Sequence, residues 1–182
     1  MNEFERRLAL GEEFENQIAY RLLMELYPDW GIEDCHNHQM TNQNGGGPRI
    51  RTTTAEYILP DYRLTNPKTK EIILVDAKRK SNPINYTLYG RRVPCHSLDR
   101  QKFLHYQETA NFVGADLFLL VGDEKLGKIY FYNHKNDLDD WQYFSMRGKN
   151  NPKELCPIFE AKDSRCIAAL YQINNSLQFK LI

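Results

Sequence analysis

Residues 60–78 read Pro60-Asp61-Tyr62-Arg63-Leu64-Thr65-Asn66-Pro67-Lys68-Thr69-Lys70-Glu71-Ile72-Ile73-Leu74-Val75-Asp76-Ala77-Lys78. The unbroken run Ile72-Ile73-Leu74-Val75 has the length and branching of a strand buried on both faces, so the pattern predicts a strand over Glu71–Lys78. Asn66 to Lys70 is the turn that leads into it. Side chains alternate along a strand, so Asp76 and Lys78 share a face and Ala77 points away from it. Upstream, Ile50 to Leu59 is rich in Thr, Tyr and Ile and is expected to be a strand stopped by Pro60, which puts Asp61 at its end.

Further towards the N-terminus, apolar residues recur at helical spacing from Phe4 to Tyr27, and Pro28 with Gly31 ends the run. At about 100° per residue, Glu15 falls among Leu8, Gly11, Ile18, Ala19, Leu22 and Leu26, inside the apolar stripe. A carboxylate turned to a core costs on the order of several kcal/mol unless a cation or hydrogen bonds compensate it. Either Glu15 snorkels or pairs with a core Arg, or it belongs to a site. If Glu15, Asp61 and Asp76 converge, they resist ionising together unless a divalent cation sits between them, which implies Mg²⁺ with Mn²⁺ as a substitute. Lys78 would then orient or help deprotonate an attacking water and offset charge on a phosphate oxygen.

Similar short patterns occur elsewhere. Pro28-Asp29 ends a helix, Asp123-Glu124-Lys125 lies in a turn, and Glu160-Ala161-Lys162 lacks a Pro-Asp before it at suitable distance. Only Asp61 with Asp76 and Lys78 places its members at adjacent strand ends behind a helix that carries a misplaced carboxylate.

Downstream, residues 81 to 96 hold Pro83, Gly90 and Pro94 and are expected to be a loop or short excursion. Ser97 is placed to cap a helix running to Val113, with Asp99 in its first turn and Gly114 as its stop. Asp116–Gly122 and Lys128–Asn133 are expected strands joined through Gly127. Leu138 to Phe144 is expected as a short helix, Cys166 to Ile173 as a strand or helix, and Ser176 to Ile182 as a last strand. Asn37 to Pro48, with Gly45, Gly46 and Gly47, has the composition of a flexible loop. The order is α/β, with the central helix crossing between sheet strands.

Pro60-Asp61, fourteen intervening residues, then Asp76-Ala77-Lys78 resembles the PD-(D/E)XK nuclease superfamily, which includes restriction endonucleases, Holliday-junction resolvases and phage exonucleases. Gly11-Glu12-Glu13-Phe14-Glu15 resembles its first-helix pattern of Gly followed four residues later by Glu, and Ser97 to Val121 its later helix and strand. The resemblance implies a restriction-endonuclease-like three-layer core, a central mixed β-sheet flanked by helices. It spans about residues 5–133 of a single domain over 1–182, with 134–182 a C-terminal extension. It also implies Asp61 and Asp76 as metal ligands, Glu15 as a direct or water-mediated support, the Ala77 carbonyl as a ligand and Lys78 as catalytic. Some members carry Gln-x-x-x-Tyr on the later helix. Here Gln101 is followed at that spacing by His105, with Tyr106 one place late, so Gln101 is either a substrate-positioning residue or a surface Gln.

The 182 residues balance 24 Lys+Arg against 24 Asp+Glu, but residues 76–102 hold seven bases and two acids. Arg79, Lys80, Arg91 and Arg92 in that segment are candidates to grip a DNA backbone, with an ordinary solvated surface as the alternative. With 41% apolar residues the chain is neither disordered nor collagen-like, and no apolar run approaches the roughly 20 residues of a membrane span. The start MNEFERR, which carries acids, and four scattered cysteines are those expected of a cytoplasmic protein with reduced thiols. Cys35, His36 and His38, and Cys95 with His96, lack zinc-site spacing, and no Gly-rich phosphate loop is present.

The expected function is that of a Mg²⁺-dependent nuclease acting on DNA, with a symmetric dimer expected because cutting two strands needs paired sites. Two rivals stand beside it. One is a nucleic-acid-binding or regulatory protein that keeps the scaffold without turnover; the other is a protein-interaction domain in which Asp76 and Lys78 form a structural ion pair.

Overall fold

The apolar run at 72–75 lies in the central strand pair of the molecule. A computed structural model describes residues 3–35, 49–145, 153–173 and 176–182. In chain order its elements are α1 (Glu3–Glu13), a π-helical turn (Phe14–Ile18), α2 (Ala19–Leu26), β1 (Gly31–Asp34), β2 (Arg49–Arg51), β3 (Glu56–Ile58), β4 (Tyr62–Thr65) and β5 (Ile72–Lys80). There follow β6 (Ile84–Leu88), β7 (Arg91–Ser97), α3 (Arg100–Val113), β8 (Asp116–Asp123), β9 (Lys128–Asn133), α4 (His134–Asp137), β10 (Asp140–Ser145), β11 (Lys153–Glu160), β12 (Cys166–Ile173) and β13 (Ser176–Leu181).

Seven strands form one mixed sheet in the order β1-β4-β5-β8-β9-β12-β13, and β10-β11-β7-β6 form a second sheet. β5 and β8 run parallel, from Ile73 opposite Asp116 to Lys80 opposite Asp123. A parallel pair needs a long crossover; here β6, β7 and α3 supply it.

Alternation along β5 and β8 separates the two faces of the large sheet. Ile73, Val75, Ala77 and Leu120 pack with Phe14, Ile18, Leu22 and Leu23 of the first helical segment. Leu74, Leu117, Leu119 and Val121 pack with Phe103, Tyr106 and Ala110 of α3 and with Phe159 of β11. Asp76 and Lys78 are in phase with Leu74, so they project towards α3. The molecule is therefore a mixed α/β fold whose main sheet carries apolar packing on both faces.

Several expectations change. Residues 81–96 are not a loop: β6 and β7 pair as a hairpin through Tyr89-Gly90, and their apolar side chains are buried against β11, a partner distant in sequence. Ile50–Leu59 is a hairpin rather than one strand, because the Thr52 hydroxyl accepts from the Thr54 and Ala55 N–H groups and turns the chain. Asp99, not Ser97, caps α3 by accepting from Lys102 N–H, while Gly114 ends it at φ 67° as expected. Leu138–Phe144 contributes to a strand, β10, rather than to a helix. The expected loop Asn37–Pro48 lies outside the described residues. Among the described residues no helix is long and apolar enough to cross a membrane.

Candidate functional site

β4 is short because Pro60 cannot donate to a ladder, and its pairing with β5 reaches only as far as Tyr62 opposite Val75. Beyond that point the Asp61 side chain takes over from the strand: its Oδ2 accepts from Ala77 N–H at 2.7 Å. The Asp61 carbonyl accepts from Cys35 N–H at 2.8 Å, tying β1's end to the same corner. The β5 edge from Asp76 onward has no β4 partner, and side chains from both faces meet there.

Glu15 arrives from the opposite face through the π-helical turn. Ala19 N–H donates to the Phe14 carbonyl, a five-residue step that adds one residue to the helical turn. Phe14 is thereby fully buried against Gly122 of β8, where an added Cβ would lie 2.3 Å from its ring. The next residue's carbonyl accepts a hydrogen bond from the Tyr62 hydroxyl. These two contacts aim the Glu15 carboxylate around the open edge of β5.

Three carboxyl groups meet on one ammonium. Lys78 Nζ stands 3.2 Å from Glu15 Oε1, 3.2 Å from Asp61 Oδ2 and 3.4 Å from Asp76 Oδ1, and donates to the Ala77 carbonyl at 2.8 Å. Asp76 is 1% exposed, and its carboxylate oxygens make no well-formed hydrogen bond, with the Lys78 ammonium at 3.4 Å and the Tyr106 hydroxyl beside them. Burial, then the Asp61 and Glu15 charges, push its carboxyl up to about 7 against the pull of Lys78. For Lys78, burial lowers the pKa, but Asp76, Asp61 and Glu15 outweigh it and hold the ammonium well above its usual range.

Three carboxylates against one ammonium leave a surplus of negative charge, and hard oxygen donors are what Mg²⁺ and Mn²⁺ select. The orphaned Asp76 oxygens, the Asp61 carboxylate and the Ala77 carbonyl fit such an ion. Among the described residues, though, no three Asp, Glu, His or Cys side chains are gathered at ligand spacing. The acids converge on the Lys78 ammonium, not on one another, because that is the cation this chain itself provides.

α3 supplies residues that sequence reading missed. Tyr106 is buried, and burial followed by the Asp76 charge keeps its hydroxyl protonated. Lys102, one turn earlier, also acts on Asp76. The signal was available: Lys102, Phe103, Tyr106 and Ala110 follow helical spacing on one side of α3. Gln101 and His105 are exposed.

The basic candidates separate. Lys80 is half-buried near the site, with its pKa lowered by burial and then by Lys78, and it forms no ion pair among the described residues. Arg79 points to the other face, buried and paired with Glu124, so it is not presented to solvent. Arg91 and Arg92 are exposed on β7, at the hairpin end away from the sheet. Elsewhere, Lys162 of the weaker Glu160-Ala161-Lys162 pattern pairs with Asp139 at 2.6 Å and Glu160 at 3.6 Å. Cys95 and His96 belong to different clusters: Cys95 packs with Leu88 and Ile158, whereas His96 bonds Asp123 Oδ2 and the Tyr132 hydroxyl, each at 2.8 Å.

No protein-family model and no curated protein matches the sequence. Among solved structures, a Holliday junction resolvase from the archaeal hyperthermophile Archaeoglobus fulgidus is similar. Its TM-score is 0.43 at 11% identity, over 78% of this chain and 87% of that one.

Proposed function

We propose that this chain is a metal-dependent nuclease that hydrolyses phosphodiester bonds of DNA, with Asp61, Asp76, Lys78 and Glu15 as its catalytic group. The observation that carries the reading is the Lys78 ammonium within 3.4 Å of carboxylates from three separate stretches of chain, one of them buried without a well-formed hydrogen bond. A fold that buried these groups only for stability would gain more from apolar residues, since charged clusters of this kind seldom repay their desolvation. Sites that hold buried, mutually perturbed titratable groups are where catalysis is sought.

Asp61, Asp76 and the Ala77 carbonyl would hold a Mg²⁺ ion, with Mn²⁺ as a substitute, and Glu15 would complete the shell directly or through water. Bound there, the ion would polarise a phosphoryl oxygen and lower the pKa of a bound water. Lys78 orients the attacking water and offsets charge that builds on the phosphate. Lys80, Arg91 and Arg92 give the DNA backbone its cationic contacts, Arg79 stands behind them paired with Glu124, and Gln101, exposed on α3, positions the substrate. The family's three-layer arrangement, the single domain over 1–182 and a symmetric dimer belong to the same proposal, as does a cytoplasmic location.

Incubation with linear, nicked and four-way DNAs in Mg²⁺ and in EDTA tests this. Cleavage of at least one form in Mg²⁺ and none in EDTA is expected; intact DNA in every lane, with Mn²⁺ included, overturns it. A second reading, a nucleic-acid-binding protein without turnover, is favoured by one observation: Lys78 already neutralises part of the acidic cluster, with no group of three acids at ligand spacing among the described residues. Binding without cleavage in the same experiment identifies it.

A further inference from the structure

β6 and β7 are joined by two residues, Tyr89 and Gly90, between the paired residues Leu88 and Arg91. Both central residues have positive φ, 49° and 77°, the hairpin turn whose twist suits the flanking strands. Gly90 adopts this freely. Tyr89 does not, since a bulky residue at positive φ is a backbone outlier where Asn or Gly is usual. Nothing in the fold repays it: the ring is 80% exposed, the most exposed aromatic side chain among the described residues. Backbone strain that the packing does not explain directs attention to function.

The surroundings of the ring identify what it meets. Arg91 and Arg92 follow directly, both exposed and without an ion pair among the described residues. The hairpin is firmly rooted: Leu88 and Cys95 pack with Ile158, and the Tyr86 hydroxyl donates to Asp140 Oδ2 at 3.0 Å. It begins four residues after Lys80, at the end of the strand that carries Asp76 and Lys78. Five residues of β6 extend about 17 Å at the usual rise per residue, roughly five nucleotide steps at ~3.4 Å per step along a strand.

We propose that the β6–β7 hairpin is a nucleic-acid probe, in which Tyr89 stacks on an unpaired base while Arg91 and Arg92 hold the adjoining phosphates. The substrate class is then DNA with an unstacked base near the cut, at a flap, a single-strand boundary or a branch. This inference rests on the nuclease reading and narrows it. Aromatic stacking is base-tolerant, so the hairpin selects DNA structure rather than sequence.

The test uses the full chain in Ca²⁺ buffer with a flapped duplex carrying 2-aminopurine at the branch, and a fully paired duplex as control. Wild type should change the probe's fluorescence on binding. Tyr89→Gly suits the backbone and should melt no lower, yet bind the flap weaker by about tenfold, within the range that base stacking covers, and lose the fluorescence change. Its affinity for the paired duplex should stay within about twofold. Tyr89→Trp should keep the signal. Flap binding by Tyr89→Gly within twofold of wild type, with the same fluorescence change, overturns the hairpin assignment and leaves the nuclease reading standing. Absence of binding to any DNA overturns both.

Discussion

Asp76 has strong reason to hold its proton, because burial dominates and two acids repel its charge. A carboxyl whose pKa rises on folding binds its proton more tightly in the folded chain. Stability is then greatest below the unfolded value of 3.8 and drains away as pH climbs towards about 7. In metal-free buffer, Asp76→Asn should therefore be more stable than wild type at pH 8, by an amount on the order of a few kcal/mol at most, and no more stable at pH 4. Urea melts of both proteins at the two pH values check this. A gain in stability with loss of cleavage is the trade expected of a residue kept for chemistry. The shared face of Asp76 and Lys78 could be read from sequence because side chains alternate along a strand. Helical spacing puts Tyr106 on the buried side of α3, but its partner Asp76 lies 30 positions away in another element, so the spacing alone does not reveal what the hydroxyl meets.

The π-helical turn is the element that brings Glu15 to Lys78, and helical periodicity alone does not reveal it. Straight-helix geometry puts Glu15 inside the apolar stripe; the extra residue in the turn instead buries Phe14 and lets the carboxylate reach around the β5 edge. Gly122→Ala should force Phe14 out of its place, costing about 1–3 kcal/mol as an overpacked core does, and should reduce cleavage more than that loss of stability explains. Tyr62→Phe removes the hydroxyl that the Glu15 carbonyl accepts from. It should cost about 1–2 kcal/mol and lower the cleavage rate while leaving DNA affinity near wild type. Thermal melts with single-turnover cleavage and a binding titration separate these effects. The β6–β7 hairpin escaped sequence reading for a different reason: Pro83, Gly90 and Pro94 interrupt its pattern, and its buried face is defined by β11 some sixty residues later.

At the scale of the molecule, the second sheet is joined to the first through a buried group. His96 of β7 lies between Asp123 of β8 and Tyr132 of β9, all three 2% exposed or less. His96→Phe removes both contacts and leaves the Asp123 Oδ2 without its ring partner. It should destabilise by about 1–3 kcal/mol, the cost of a buried acceptor left unsatisfied, read as a fall in the urea midpoint that tryptophan fluorescence and circular dichroism report together. Residues beyond 134 were the least legible stretch, because β10 and β11 complete the second sheet while β12 and β13 extend the first, and neither assignment follows from local pattern.

The group around Lys78 is the proposed seat of the chemistry. The direct measurement is cleavage of the DNA panel in Mg²⁺ by wild type, Asp76→Ala and Lys78→Ala at equal concentration, each verified as folded by circular dichroism. Cutting by wild type alone is the predicted result. Undiminished cutting by either folded variant would contradict it.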